Sequence, residues 1–378
     1  MRPLSPKERH SLLEGPAAPP PPGQLSNLDG PQPMLIIGQV ILYIFGISAS
    51  ICFMMHAYTR AFTVRQFRLS DCILVLAWAL YVAYVGIAFL TNAVAPCVDQ
   101  WDQRLRDFIS MLYYNYIGTI IYCLSVFVVK LSILQKFLEI FSLQHDYFFW
   151  SCHCLIWVNL VFYLAMIFLE VFACKPISGA WDVLIREGSC AINMRLLNVV
   201  GGSVNSVSDL IILTLPLTRI WRLHVPLRKK LAISAVFSFG LLSCASAIVR
   251  LSYAVILFNT TNNISRFIWM SGLWTIAEIG CGIIAGCIPS LPKFIQSRRT
   301  RIAAEITHAH APFGGMIMLP VSSWPGSGRR WKAPDLYPLT SFANDIGRWE
   351  RACLEPDRVL VPSGVASLHQ ATPPRVRT

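Results

Sequence analysis

The sequence predicts an all-α membrane protein, a seven-transmembrane helix bundle with its N-terminus outside and its C-terminus in the cytosol. Three observations lead to this prediction. Hydrophobic residues make up 54% of the chain and charged residues only 14%, a balance that soluble domains of this length do not show. Seven apolar runs are long enough for a bilayer core about 30 Å thick, which takes ~20 residues of helix. The basic residues are divided unequally between the two sets of loops.

The seven runs are interpreted as helices because none alternates apolar and polar residues with a period of two. That alternation is the pattern of outer-membrane barrel strands. The predicted helices cover residues 34–58, 71–94, 108–134, 148–173, 194–217, 231–257 and 267–290. The membrane domain is therefore expected to span residues 34–292.

The segments flanking the membrane domain are expected to be disordered. Residues 1–33 form a leader that contains the Pro-rich stretch "EGPAAPPPPGQLSNLDGPQP", and this composition favours neither a helix nor a packed core. Residues 293–378 form a basic tail without a clear pattern. The orientation of the bundle places this tail in the cytosol.

The predicted orientation follows from the basic residues near the helix ends, because cytosolic loops carry the excess of Lys and Arg. Fourteen lie on one side and six on the other. The fourteen are Arg60, Arg65, Arg68, Lys130, Lys136, Arg219, Arg222, Arg228, Lys229, Lys230, Lys293, Arg298, Arg299 and Arg301. The six are Arg104, Arg106, Lys175, Arg186, Arg195 and Arg266.

Two features of the predicted outer loops agree with this orientation. Asn259 and Asn263 each begin a glycosylation sequon in the loop between the sixth and seventh helices, and glycosylation occurs on the outer side. Cys174 and Cys190 lie in one outer loop, where oxidation is possible, and a disulfide between them is predicted. Cys97, in the neighbouring outer loop, could instead bond either of them.

The net charge of +12 does not indicate nucleic-acid binding, because it resides largely in the tail and in the inner loops. A basic surface that faces anionic lipid explains it. The inner loop "RIWRLHVPLRKK" is the candidate surface for a cytosolic partner. It contains Arg219, Arg222, Arg228, Lys229 and Lys230. The alternative is that these charges only set topology and contact lipid.

Polar residues inside the spans are the candidate functional residues, because membrane insertion disfavours them by ~2.5–3.5 kcal/mol for a central charge. The candidates are Asn115, Asn205, Asp209, Arg250 and Glu278. At 1.5 Å per residue, Arg250 can reach Glu278, whereas Asp209 would need Asn205, a hydroxyl or water as an intermediary. Two interpretations stay open: the groups only neutralise each other and fix packing, or they form a ligand-facing or switching cluster.

Several kinds of site are not expected. A retinal Schiff base needs an amine inside the membrane, and the seventh helix has no lysine before Lys293. Lys130 is interpreted as lying at the cytosolic end of the third helix. "WSCHC", residues 150–154, lacks the second ligand pair of a metal site. No cofactor, metal or catalytic residue is therefore predicted, and the chain is not expected to be an enzyme.

Several segments together resemble a known family. They are "KLSILQKFLEIF", "FACKPISGAWDVLIREGSC", "SDLIILTLPLTRIWRLHVPLRKKLAISAVFSFG", "AIVRL" and "WTIAEIGCGIIAGCIPSLPKF". In this order they resemble the fungal integral membrane proteins with a rhodopsin-like seven-helix domain, a group that includes receptor-like proteins of surface-sensing plant pathogens. The resemblance covers roughly residues 60–294. It implies a receptor-like protein that does not bind retinal. Ser70 stands where the family usually has the first of two acids.

The function predicted from the sequence is that of a receptor-like multi-pass membrane protein. It would sense an extracellular or intramembrane ligand and signal through cytosolic loops to a partner such as a G protein. The plasma membrane is favoured over an endomembrane. The alternatives are a small membrane transporter, which would be expected to show internal repeats, and a structural membrane protein without a signalling role.

Overall fold

The computed structural model describes residues 6–28, 30, 34–64, 68–141, 146–185, 189–216, 227–259, 263–292, 294 and 298, some by their backbone alone. All of them belong to one compact unit, Met1–Pro312. The predicted tail, residues 293–378, lies outside the described residues apart from Phe294 and Arg298.

The described residues contain eight α-helices. They are α1 (Pro6–Glu14), α2 (Met34–Tyr58), α3 (Leu69–Val94), α4 (Leu105–Phe141), α5 (Tyr147–Phe172), α6 (Met194–Thr214), α7 (Leu227–Asn259) and α8 (Ile264–Cys287). A π-helical segment, Thr59–Val64, continues α2, and a 3₁₀ turn, Ile288–Ser290, continues α8. Helices α2 to α8 are long and apolar enough to cross a membrane. The predicted seven-helix membrane fold is confirmed.

Helix α8 is the central helix of the bundle. In its most apolar window 78% of the residues are buried, against 17% in the window of α2. Small residues allow this position, since a Cβ atom at Gly282 would lie 2.7 Å from Cγ1 of Val129 on α4. Only glycine lets the two backbones approach this closely. The close approach sets Glu278, one turn earlier on α8, against the polar side chains of α4.

The two ends of the bundle differ. One, called here the disulfide end, carries the loops that follow α3, α5 and α7. There the strands β1 (Cys174–Lys175) and β2 (Ser189–Cys190) pair antiparallel, with Cys174 opposite Cys190. Trp181, between the strands, packs against Tyr113 and Tyr116 of α4. The other, called the basic end, carries the ends of α2, α4, α6 and α8.

In the leader, the described residues 6–28 include α1 and contact the loop before α4. Pro16 forms an isolated β-bridge with Arg104, and the backbone N–H of Ala17 donates to the carbonyl of Gln103 at 2.9 Å. Glu14 accepts from Arg104 at 3.0 Å and from Arg106 at 3.2 Å. Composition did not reveal this because the partners come from the loop before α4 rather than from the leader.

Helix α4 extends seven residues past its predicted end, and this corrects the interpretation of two lysines. Lys130 and Lys136 were counted as cytosolic loop charges, but both are buried inside the bundle, at 3% and 6% exposure. Without them the basic residues number twelve against six. The imbalance keeps its sign, so the predicted orientation stands as a prediction.

Candidate functional site

Glu278 lies at the centre of a polar network inside the bundle. Its Oε2 atom is 3.0 Å from Nε of Arg250 on α7. Its Oε1 atom accepts from Nδ2 of Asn205 on α6 at 2.7 Å and from the hydroxyl of Tyr122 on α4 at 3.2 Å. The side chain is 3% exposed. A carboxylate at this depth is thus tolerated because three donors from three helices satisfy it.

Arg250 and Tyr122 form the side of this network nearer the disulfide end. Nη2 of Arg250 donates to the hydroxyl of Tyr122 at 2.6 Å, and the guanidinium carbon lies 4.6 Å from the centre of the Tyr122 ring. The ring face attracts the cation, and its hydroxyl passes a hydrogen bond on to Glu278. Arg250 is therefore fixed by both partners.

Lys130 forms the opposite side of the network. Its ammonium group is 3.0 Å from Oδ1 of Asp209 and donates to the backbone carbonyl and Oδ1 of Asn205 at 3.1 and 2.8 Å. These three acceptors match the three donors of an ammonium group. The sequence interpretation of Lys130 as a helix-end charge was wrong. An imine nitrogen would have at most one N–H, so this arrangement suits a free lysine rather than a Schiff base.

Asn205 joins the two ion pairs. Its Oδ1 accepts from Lys130 and, at 2.6 Å, from the hydroxyl of Tyr163 on α5. Its Nδ2 donates to Glu278 and, at 3.4 Å, to Oδ2 of Asp209. The sequence analysis required an intermediary between Glu278 and Asp209, and the structure places Asn205 there. We call Tyr122, Lys130, Tyr163, Asn205, Asp209, Arg250 and Glu278 the central network.

The charges of the central network balance, because Lys130 and Arg250 oppose Asp209 and Glu278. Each cation lies within 3.0 Å of one carboxylate. Removing one member of a buried pair leaves an uncompensated charge and costs ~3–5 kcal/mol, whereas the intact pair contributes little net stability. The network therefore fixes the relative positions of α4, α6, α7 and α8 more than it adds to stability.

A cavity of about 120 Å³ lies directly beside the network, toward the disulfide end. Side chains of six helices, all the spans except α5, line it, and Arg250 and Tyr122 are among them. One water needs ~10–15 Å³ of such space, so the cavity accommodates several waters or a small organic molecule. It connects the network to the disulfide end of the bundle.

Asn115 lines this cavity and does not join the central network. Within the part of the chain that the structure describes, its side-chain amide has no hydrogen-bond partner, and Nη1 of Arg250 has none either. Tyr84, Tyr253 and Trp269 add aromatic surface to the wall. The lining thus offers unused donors and an acceptor amid apolar surface, which is the usual composition of a small-molecule site.

Cys174 and Cys190, the pair named from the sequence, form a disulfide at the disulfide end. Cys97, the alternative partner, has a free and half-buried thiol. Burial raises the pKa of this thiol, so less of it is present as the reactive thiolate. The structure thus favours one of the pairings that the sequence analysis left open.

The two sequon asparagines have different surroundings. Asn259 is the last residue of α7 and is exposed. Asn263 adopts a left-handed conformation at φ 62°, and its amide accepts from the backbone N–H of Gln100 at 3.3 Å while donating to Asp99. The serine of that sequon, Ser265, is buried at 1% exposure. Asn259 is accordingly the better glycosylation candidate.

The predicted basic partner surface lies mainly outside the described residues. Arg219 and Arg222 fall in the segment between α6 and α7 that is not described. Arg228, Lys229 and Lys230 lie in the first turn of α7, and their side chains are not described. No group of three His, Cys, Asp or Glu residues suited to a metal occurs among the residues described.

Sequence reasoning missed Tyr163 as a member of the network. Asn159 and Tyr163 are spaced i, i+4 and so share a face of α5, and this polar pair could have identified that face. Asn159 accepts from the hydroxyl of Ser208 on α6 at 2.8 Å. The face joins α5 to α6 through two polar contacts, Asn159 with Ser208 and Tyr163 with Asn205.

Comparison with known proteins places the chain among fungal membrane proteins. A family model described as "Fungal rhodopsin domain" matches residues 55–297. The chain is 28% identical over 292 residues to fugralins biosynthesis cluster protein 2 of Gibberella zeae, covering 75% of this chain and 71% of that protein. No solved structure matches the chain.

Two further relatives carry other descriptions. A SAT4 family membrane protein of Emericella nidulans is 40% identical over 178 residues, which is 47% of this chain and 44% of that protein. A protein named Receptor GIN3 from Arthrobotrys oligospora is 21% identical over 294 residues, 78% of this chain and 70% of that protein. The family match contains α3 to α8 and therefore the whole central network.

Proposed function

The chain belongs to the fungal rhodopsin domain family, and from this premise we propose that it is a receptor for a small, uncharged organic molecule. The ligand would occupy the cavity beside Arg250 and Tyr122. One observation carries the proposal: two residues that line the cavity are also members of the central network. A molecule in the cavity would therefore contact side chains that position four helices.

The chemistry of the lining supports the choice of an uncharged ligand. The positive charge of Arg250 is already balanced by Glu278 at 3.0 Å, so the cavity offers no free charge to an ion. Asn115 and Nη1 of Arg250 provide donors for a carbonyl or hydroxyl oxygen, and the aromatic wall suits an apolar body. One relative is named for a biosynthesis cluster and another as a receptor, which agrees with a sensor of a small organic compound.

The signal would pass from the cavity to the basic end through the central network. A ligand that hydrogen-bonds to Arg250 or Tyr122 would weaken their bonds to Glu278. This change would shift Asn205, which contacts both ion pairs. A ligand can bias a two-state element only by binding the states unequally. Signalling would then proceed through the segment between α6 and α7 to a cytosolic protein such as a G protein, without any catalytic step.

The proposal includes the orientation of the bundle and its membrane. The disulfide end faces the exterior and the basic end the cytosol, with the plasma membrane as the location. Glycan mapping checks this, with Asn259 expected to carry the glycan and Asn263→Gln expected to leave the glycan mass unchanged. A protease that digests the tail in sealed, right-side-out vesicles would contradict the orientation.

Ligand binding is tested with a panel of small alcohols, ketones and lactones on the purified full chain. Binding should raise the melting temperature and change the fluorescence of a reporter placed between α6 and α7. Asn115→Leu, which fills the cavity, should abolish both responses, whereas Ser238→Leu, on the exposed side of α7, should leave them intact. Uptake of the same compounds into proteoliposomes without a reporter change would favour a transporter instead.

A further inference from the structure

A second polar cluster lies at the basic end, where α2, α3, α4 and α8 meet. Its members are His56, Arg60, Ser70, Asp71 and Lys136, called here the junction cluster. Ser132 and Lys136 are spaced i, i+4 on one face of α4. The hydroxyl of Ser132 donates to the carbonyl of Ser70 at 3.4 Å, and the ammonium of Lys136 donates to the carbonyl of Gly286 on α8. One face of α4 therefore brings the cluster together.

Asp71 is the one acid among the members, and it is fully engaged. Its Oδ1 atom lies 3.1 Å from Nε2 of His56. Its Oδ2 atom lies 3.2 Å from Nε of Arg60 and accepts from the backbone N–H of Arg68 at 3.1 Å. This carboxylate, 2% exposed, balances one positive charge and has no capacity for a second.

Lys136 is left without a counterion. It is 6% exposed, and among the residues that the structure describes its only bonded partner is the Gly286 carbonyl, so two of its three N–H donors are unused. The nearest acid on its own helix, Glu139, is at the rim and lies 3.4 Å from Nη1 of Arg68. Fully buried lysines are rare unless paired, so this ammonium group would be stabilised by an anion, which the described residues do not supply.

Other members of the junction cluster also carry unpartnered polar atoms. Nδ1 of His56 and the hydroxyl of Ser70 are buried and have no hydrogen bond within the described part of the chain. The Nε–H of Arg60 makes no hydrogen bond to Asp71 despite the short distance, and the terminal nitrogens of this guanidinium have no hydrogen bond or ion pair with a described residue. Each such buried group costs free energy unless something satisfies it.

We propose that the junction cluster binds a phosphate group, held by Lys136 and Arg60 and completed by the hydroxyl of Ser70. Arginine and lysine are the side chains that recognise phosphate. Arg60 lies just beyond the end of α2, near the end of the first candidate span, and basic pockets between helices on the cytosolic side bind lipid headgroups. Arg298, 5.6 Å from the ring of Tyr58, adds positive charge nearby.

The phosphate could belong to an anionic phospholipid or be free in solution, and the experiment distinguishes the two. The full chain in detergent receives sodium phosphate, or sodium chloride at equal ionic strength. In parallel, it is placed in phosphatidylcholine nanodiscs with and without phosphatidic acid. Either source should raise the melting temperature of the wild type by several degrees, because a ligand that binds only the folded state stabilises it.

Two variants locate the effect. Lys136→Met and Arg60→Gln should each abolish the rise, and Arg68→Gln, at the rim of the cluster, should retain it. Native mass spectrometry of the wild type should show bound phosphate or phosphatidic acid, a readout that needs no variant to fold. The proposal is overturned if chloride stabilises as well as phosphate, if neither source has an effect, or if Lys136→Met keeps the full response.

Discussion

The central network and the junction cluster contain the same kinds of residues, yet they are completed differently. In the central network two cations face two carboxylates, and each donor of Lys130 has an acceptor within 3.1 Å. The junction cluster has two cations but one carboxylate, which lies against Arg60, and Lys136 is bonded to a single carbonyl. Both clusters are buried, so exposure to water does not explain the difference.

The difference between the two clusters is in charge balance rather than polarity: the balanced network suits an uncharged neighbour, and the unbalanced cluster suits an anion. A network whose charges are paired holds helices in register and changes when a neighbouring group competes for one of its members. A cluster with unused buried donors gains free energy from whatever satisfies them. Substitutions in the two clusters should therefore have different effects.

The largest effect is expected at the Arg250–Glu278 pair. Glu278→Gln or Arg250→Gln leaves an uncompensated buried charge and should destabilise the fold by ~3–5 kcal/mol. The double variant should cost less than the sum, because the two side chains contact each other. Thermal unfolding in detergent measures all three.

Glu139→Gln provides the control for this cycle. Glu139 also pairs with an arginine, but both side chains are partly exposed, and exposed pairs contribute only ~0–1 kcal/mol. Strict additivity of Glu278→Gln and Arg250→Gln would show that the pair does not couple, and would remove the central network from the proposed signalling path.

The same substitution should change the stability of the fold by different amounts at the two lysines of α4. Lys130→Met removes the counterion of Asp209 and should cost ~3–5 kcal/mol. Lys136→Met, measured without phosphate, removes an unpaired charge. It should lower the free energy of unfolding by no more than about 1 kcal/mol, or raise it. Equal losses at both positions in a melting experiment would contradict the comparison, since both lysines would then be equally paired.

The close approach of α8 to α4 should produce a smaller effect. Gly282→Ala places a methyl group 2.7 Å from Cγ1 of Val129, and overpacking of this kind costs ~1–3 kcal/mol. Gly272→Ala on the same helix is the matched control, because no atom lies within 4 Å of its added Cβ. It should be neutral or stabilising, since alanine favours helix by about 1 kcal/mol over glycine. A stable Gly282→Ala variant would mean that α8 can move away from α4.

The smallest effect is expected at the leader. Glu14→Gln removes the negative charge and one of the two acceptor oxygens that face Arg104 and Arg106, and because these side chains are one-third to one-half exposed, the loss should be below about 1 kcal/mol. Limited proteolysis of the folded protein should nevertheless cut the leader faster, while the melting temperature changes little. In the Asn27→Ala variant the backbone N–H of residue 27 still donates to Asp102, so the protease should cut its leader at the wild-type rate.

Much of the fold was predictable because membrane insertion depends on local properties of the chain. Seven apolar runs of sufficient length predict seven spans without knowledge of their contacts. The same is true of the candidate residues Asn205, Asp209, Arg250 and Glu278, which stand out because a polar group in a span is costly wherever it points. The contacts of the leader were not predictable from its composition, because they involve Arg104 and Gln103, about ninety residues away.

By itself the sequence determined which segments cross the membrane and which polar residues need partners there. The tertiary structure decided which partners they receive. Lys130 and Lys136 differ little in sequence context, yet helix rotation turns one toward Asp209 and the other toward the carbonyl of Gly286. The junction cluster draws on positions 56, 60, 70, 71 and 136, and no local pattern joins them. Whether the charges of a buried cluster balance depends on how the helices pack. Hydrophobicity inserts each helix into the membrane but does not specify its neighbours.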